Sequence, residues 1–136
     1  MADKERVTII LHSGSYDRAS YALTLSLVAL ASDMEVYMLL TFEGLRRFTR
    51  GHFSEIEATS DSIREQLEQG QEWGIIPSLE SQLAEAKKLG LKLYACPNAI
   101  ASLNIPQNEI MDEVDDVMGV AAFLQLARGA AVNWYI

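Results

Sequence analysis

Apolar positions in this chain fall into short unbroken runs, separated by longer stretches with helical spacing. Val7 to Leu11 (VTIIL) and Glu35 to Phe42 (EVYMLLTF) are continuous runs. Runs of this length and β-branched content predict strands buried on both faces. Leu91 to Ala95 reads as a third strand, with Leu91, Leu93 and Ala95 on one face. Between the first two runs, residues 17–31 (DRASYALTLSLVALA) predict a helix with two apolar stripes. Tyr21, Leu25 and Val28 form one stripe; Leu23, Leu27 and Leu30 form the other, which is expected to lie uncovered by the sheet. A helix apolar on two faces needs two neighbours, here the sheet and a second subunit. The turn cluster His12-Ser13-Gly14-Ser15 precedes it, with Ser15 or Asp17 placed to cap it.

The remaining pattern continues the alternation. Leu45 to Arg50 predicts one or two helical turns. Residues 51–75 are polar and Glu-rich, with Ser60 to Glu68 helical and Gly70 and Gly74 as breakers. Pro77 suits a helix start, and Leu79, Leu83 and Ala86, with Leu89 behind them, make one stripe that Gly90 terminates. Pro97 to Leu103 predicts a short helix, closed by Asn104 as a left-handed cap and by Pro106. A weak strand around Ile110 to Val117, a helix from Gly119 to Arg128 capped by Gly129, and a strand from Ala131 to Tyr135 follow. Strands alternating with helices imply an α/β fold: three layers, α/β/α, about five strands in a mainly parallel sheet, doubly wound as in flavodoxin-like and Rossmann-like folds. All 136 residues are expected to form a single domain.

Composition narrows the function classes. A formal net charge of −8 argues against nucleic-acid partners and against an anionic membrane surface. The longest nearly uncharged stretch, Ala19 to Ser32, is too short to span a bilayer. The start MADKERVT has no apolar signal region, and one cysteine cannot form an internal disulfide, so a cytoplasmic protein is expected. His12 and His52 are too isolated to suggest a zinc site. Met34, Met38, Met111 and Met118 read as core fillers, and Trp73 and Trp134 as packing residues.

The lone cysteine raises the chemical question. In KLYACPNAIASLNIP (residues 92–106), Cys96 ends the third strand directly before Pro97. In open parallel sheets, functional groups collect beyond the carboxyl ends of strands. A residue before proline is pushed out of the helical region, so Cys96 is expected to be the N-cap of the Pro97 helix. Free backbone N–H groups there favour an anion such as a thiolate, giving a partly exposed, nucleophilic sulfur. Against this stands the tendency of cysteine to be buried and inert. His12, Ser13 and Gly14 end the first strand, and share a crevice with Cys96 if the two strands are neighbours.

ACPNAIASLNI (Ala95 to Ile105) resembles the Cys-centred segment of the DsrE/DsrF-like family, closest to the branch reading A-C-x-x-S-x-x-x-M-G-I. TFEGLRR (residues 41–47) resembles the T-F-x-G-L motif of the same branch, and GVAAFLQLARGAAVNWYI (Gly119 to Ile136) is similar to the family's last helix and strand. With the VTIILHSG start, the resemblance covers most of the chain and residues 51–75 least. Asn98 and Ala99 depart from the segment, and Leu103-Asn104 replaces Met-Gly, although asparagine tolerates the left-handed cap. The resemblance implies a sulfur carrier or sulfurtransferase subunit. Cys96 would accept sulfane sulfur as a persulfide or thiosulfonate and pass it to TusA-like or rhodanese-like partner proteins. It also implies a homo-oligomer, a trimer or hexamer, and a reaction without metal or organic cofactor. Members lacking the cysteine serve as assembly subunits, so an oligomeric scaffold or small-anion binding subunit is the alternative. Within the implied site His12 could hydrogen-bond the sulfur or a thiosulfonate, and Ser13 and Gly14 could offer backbone N–H groups to an anion. Pro97 opens the helix, and Asn98 could hydrogen-bond the sulfur. Arg46, Arg47 and Arg50 read as a solvated helical face, or else as a surface that docks an acidic partner or attracts an anionic sulfur donor.

Overall fold

The computed structural model describes residues 4–136. Five strands form one sheet in the order β4-β3-β2-β1-β5: β1 (Arg6–Leu11), β2 (Glu35–Leu40), β3 (Lys92–Ala95), β4 (Asp116–Val117) and β5 (Val132–Tyr135). Every neighbouring pair is parallel. The first four strands step one way across the sheet, and the chain then returns past β1 to add β5 at the other edge. Right-handed crossovers place connections that run in opposite directions on opposite faces. The helices α1 (Tyr16–Ala31) and α4 (Leu79–Lys88) accordingly pack together, α1 also against β1 and β2, while α6 (Val120–Ala127) packs against β1 on the other face. The three-layer α/β/α reading therefore holds, with the sheet wholly parallel.

Alternate residues of the central strands (Val7, Ile9 and Leu11; Val36, Met38 and Leu40) are buried, as are Leu79, Leu83 and Ala86 of α4. Each such Val, Ile, Leu or Met side chain removed from water contributes about 1.5–3 kcal/mol. Small buried residues on α1 (Ala19, Ala22, Ser26 and Ala29) let it approach its neighbours closely. Gln82 of α4 accepts from Ser20 Oγ at 2.8 Å and donates to Thr24 Oγ1 at 3.1 Å, so its buried amide is satisfied.

The two stripes of α1 exchange the roles expected of them. Leu23 is fully buried and Leu27 and Leu30 pack against the core, whereas Tyr21 and Val28 stand 60% and 61% exposed. Periodicity shows that a helix has two apolar faces but not which of them meets the sheet.

Other boundaries shift for identifiable reasons. α2 (Phe42–Arg47) starts where β2 was expected to continue, and α3 (Asp61–Glu72) runs through Gly70 and ends before Gly74. Gly70 is not a breaker: a Cβ there would sit 2.3 Å from Ile76 Cδ1, so its bareness seats Ile76 against the helix. Leu89 is exposed, not behind the α4 stripe. The weak strand shrinks to Asp116–Val117, preceded by a 3-10 turn (Gln107–Glu109) and an isolated antiparallel bridge from Ile110 to Thr49. Among the described residues, no helix is long and apolar enough to cross a membrane.

Asp115 fastens this edge. Its Oδ2 accepts from Lys87 Nζ at 2.6 Å and from the Leu93 N–H at 2.8 Å. Burial pushes the carboxyl up, but Lys87 and the Leu93 N–H outweigh it, and its pKa lies below the ordinary value. A depressed folded-state pKa contributes stability above the unfolded value of about 3.9 and loses it as pH falls through the folded one. Asp115→Asn should therefore reduce stability by roughly 1 kcal/mol at neutral pH, because the pair is part-exposed and screened. Urea unfolding should show the difference closing as pH falls through the lowered folded-state pKa; a difference that stays constant with pH would refute this role.

Candidate functional site

The carboxyl edge of the sheet continues its ladder one residue beyond the strands. Leu11, Leu40, Ala95 and Val117 are in register across β1, β2, β3 and β4. The next row is His12, Thr41, Cys96 and Met118, tied by Thr41 N–H to Leu11 O (3.1 Å), Cys96 N–H to Leu40 O (2.9 Å) and Met118 N–H to Ala95 O (3.0 Å). This row fixes what the sequence could not. β2 lies between the strands that carry His12 and Cys96, so their backbones are about 10 Å apart, two strand spacings.

Cys96 is the N-cap of α5 (Pro97–Ser102), with extended angles (φ −76°, ψ 123°) and Pro97 in the first turn. Proline forces both features, and Asn104 closes the segment at φ 51°, as expected of a left-handed cap. The expectation of a partly exposed sulfur fails: Cys96 is only 3% exposed, and its side chain makes no capping hydrogen bond. Ala95 and Ala99 beside it are also buried, while Pro97 and Asn98 face solvent. Asn98 makes no side-chain hydrogen bond to the sulfur among the described residues.

The loop after β1 serves other purposes than those expected. The N–H groups of His12 and Ser13 both donate to Ile136 O, at 2.7 and 3.2 Å, so Ser13 has no backbone donor left for an anion. The His12 ring lies 5.2 Å from Phe42 and 6.0 Å from Tyr135, not on Cys96. Gly14 is required by close approach, since a Cβ would sit 2.4 Å from Glu43 O. Gly44 is tighter still, with a virtual Cβ 2.1 Å from Leu11 O, and its N–H donates to His12 O at 3.0 Å. The two glycines let α2 lie directly on the end of β1.

Phe42 is the residue that sequence reasoning missed. It begins α2 with φ 48°, a left-handed conformation that costs a non-glycine residue on the order of 1–3 kcal/mol. It follows Thr41, the row neighbour of Cys96, and its ring is partly exposed. Nothing in the residue type announces this backbone, because phenylalanine is not a left-handed former.

Arg47 also departs from expectation. It is 4% exposed and not part of a solvated face. Its Nε donates to Gly14 O at 2.8 Å, and its Nη1 donates to the carbonyls of His52 (3.0 Å), Phe53 (3.2 Å) and Glu55 (2.5 Å). Burial pulls its pKa down, while the charges of Glu57 and Glu55 raise it. Arg46 and Arg50 do face solvent, paired with Glu43 and Asp112.

Residues 67–135, which include β3, Cys96 and the last helix and strand, match the DsrE/DsrF/DrsH-like family. The chain belongs to this family. Across its whole length it is similar to the uncharacterized protein YrkE of Bacillus subtilis, at 28% identity over 97% of each chain. Its fold matches the YchN protein of E. coli with a TM-score of 0.63, at 11% identity, covering 98% of this chain and 100% of that one. It also matches MTH1491, a protein of unknown function from Methanobacterium thermoautotrophicum, with a TM-score of 0.59 at 15% identity, covering 96% and 99%. Membership in the DsrE/DsrF/DrsH-like family associates the chain broadly with sulfur relay.

Proposed function

We infer that this chain is a sulfur carrier or sulfurtransferase subunit in which Cys96 holds the cargo. The observation that carries the reading is the location of its only cysteine, at the carboxyl end of β3 and the N-cap of α5, in a chain of this family. The Cys96 thiolate attacks the sulfane sulfur of a donor persulfide. A new S–S bond forms, the donor's S–S bond breaks, and the donor leaves as a thiolate. With tetrathionate the same attack leaves a sulfonated disulfide on Cys96 and releases thiosulfate. A partner thiolate, of a TusA-like or rhodanese-like protein, then attacks the terminal sulfur and restores the Cys96 thiolate. Neither step changes the count of electrons, and neither calls for a metal or organic cofactor. His12, Ser13, Gly14, Pro97 and Asn98 would line the approach at the same edge of the sheet, with His12 two strands away.

The burial of Cys96 favours a second reading, an oligomeric scaffold in which the thiol is packing. The two part on a mass measurement. Reduced protein treated with polysulfide or tetrathionate should gain sulfur at Cys96, lose it to dithiothreitol, and gain none as Cys96→Ala. A native chain that gains none, although its denatured form does, would leave the scaffold reading.

We further propose a homo-oligomer, a trimer or a hexamer, assembled through the exposed stripe of α1. Tyr21 and Val28 are too large and too exposed to be incidental on a helix without charge between Arg18 and Asp33. Light scattering should give a multiple of the 15.1 kDa chain mass, and Val28→Glu should lower it. A wild-type monomer would remove this part of the account.

A further inference from the structure

Arg47 does more than anchor a loop. Its Nε and Nη1 are spent on backbone carbonyls, but Nη2 makes no hydrogen bond to any described residue. No polar side-chain atom is both fully enclosed and unpaired among the described residues, so this donor edge is open to solvent. Arg47 lines a cavity of about 220 Å³ between Gly14, α2 and the loop that follows α2.

The charges around that cavity are unevenly spent. On its wall, Glu43 is paired with Arg46 at 3.3 Å, and Glu55 with His52 at 3.5 Å. Arg47 and Glu57 also line it, and neither has an ion-pair partner among the described residues. A buried guanidinium and a carboxylate that act on each other only across a gap, with no direct ion pair, therefore face one small space. A simple anion would meet an excess of carboxylates on this wall, and a simple cation would meet a buried guanidinium. A ligand that carries both charges satisfies each. From this pairing we propose that the cavity binds a small zwitterion of the α-amino-acid type. Its carboxylate accepts from Arg47 Nη2, and its ammonium donates to Glu57. Charge-assisted hydrogen bonds of this kind are the stronger class, and a planar guanidinium edge suits a carboxylate. Cys96 does not line this cavity, and Gly14 is the one residue it shares with the approach to the thiol proposed above.

The probe is L-alanine, titrated into the isotope-labelled full chain and followed through backbone amide resonances. Acetate and ethylamine serve as the two half-ligands. Saturable shifts confined to Gly14 and residues 43–57 are expected for alanine, with each half-ligand at least about tenfold weaker. Glu57→Gln, a change on an exposed side chain that leaves the fold intact, should weaken alanine about tenfold and leave acetate unaffected. Absence of saturation, shifts centred elsewhere, acetate binding as well as alanine, or alanine binding unchanged in Glu57→Gln would each overturn the proposal.

Discussion

Gly44→Ala should unfold at a urea concentration lower by roughly 1.5 M than the unaltered chain, a loss of about 3 kcal/mol. The added methyl would lie 2.1 Å from Leu11 O and 2.8 Å from Leu11 C. Both are backbone atoms of a strand paired on both sides, so neither can swing aside as a side chain would. Relief requires α2 to lift from the end of β1, which breaks the Gly44 N–H to His12 O bond and disturbs Thr41 beside Cys96. Gly119→Ser is the contrasting change. Gly119 caps α6 with nothing within 4 Å of a virtual Cβ, and serine is a good N-cap, so stability should move by less than about 0.5 kcal/mol. Equal midpoints for Gly44→Ala and the unaltered chain would mean that α2 does not lie this close to β1.

The largest functional effect is expected at Cys96. Cys96→Ala and Cys96→Ser should abolish sulfur loading altogether while leaving the fold in place. Alanine removes one buried sulfur, and serine buries a hydroxyl in its place; either change should cost about 1–2 kcal/mol. A variant that is fully unfolded would make Cys96 structural. Because the thiol is 3% exposed, access is the limiting factor. Small polysulfide should load it faster than bulky disulfide reagents do, and denaturation should remove that preference.

Much of this fold was legible because strand and helix patterns are local. The β-branched runs, Gly90 and Gly129 at helix ends, the Asn104 cap and the Cys96-Pro97 junction each follow from short-range sterics, and the structure carries them all. Non-local relations were not legible. Strand order depends on how crossovers stack, so the separation of His12 from Cys96 by β2 had no sequence signal. The same holds for the stripe of α1 that meets the sheet, and for Arg47, which follows the solvated Arg46 yet is buried. Gly14 and Gly44 could be seen as glycines, but the backbone each accommodates lies in another element. The spent N–H of Ser13 likewise depends on Ile136, at the other end of the chain.

The central claim is that this chain passes sulfur on, which loading alone does not establish, since a reachable thiolate reacts with polysulfide in any setting. The decisive measurement is transfer. Sulfur-loaded protein is mixed with a reduced TusA-like protein, and the acceptor's gain in mass is timed against that from loaded glutathione at equal concentration. Docking orients the two sulfurs and should make transfer from Cys96 at least about tenfold faster than from glutathione. Transfer no faster than from glutathione, from a chain that loads normally, would contradict the relay assignment and leave Cys96 a buried thiol in a scaffold.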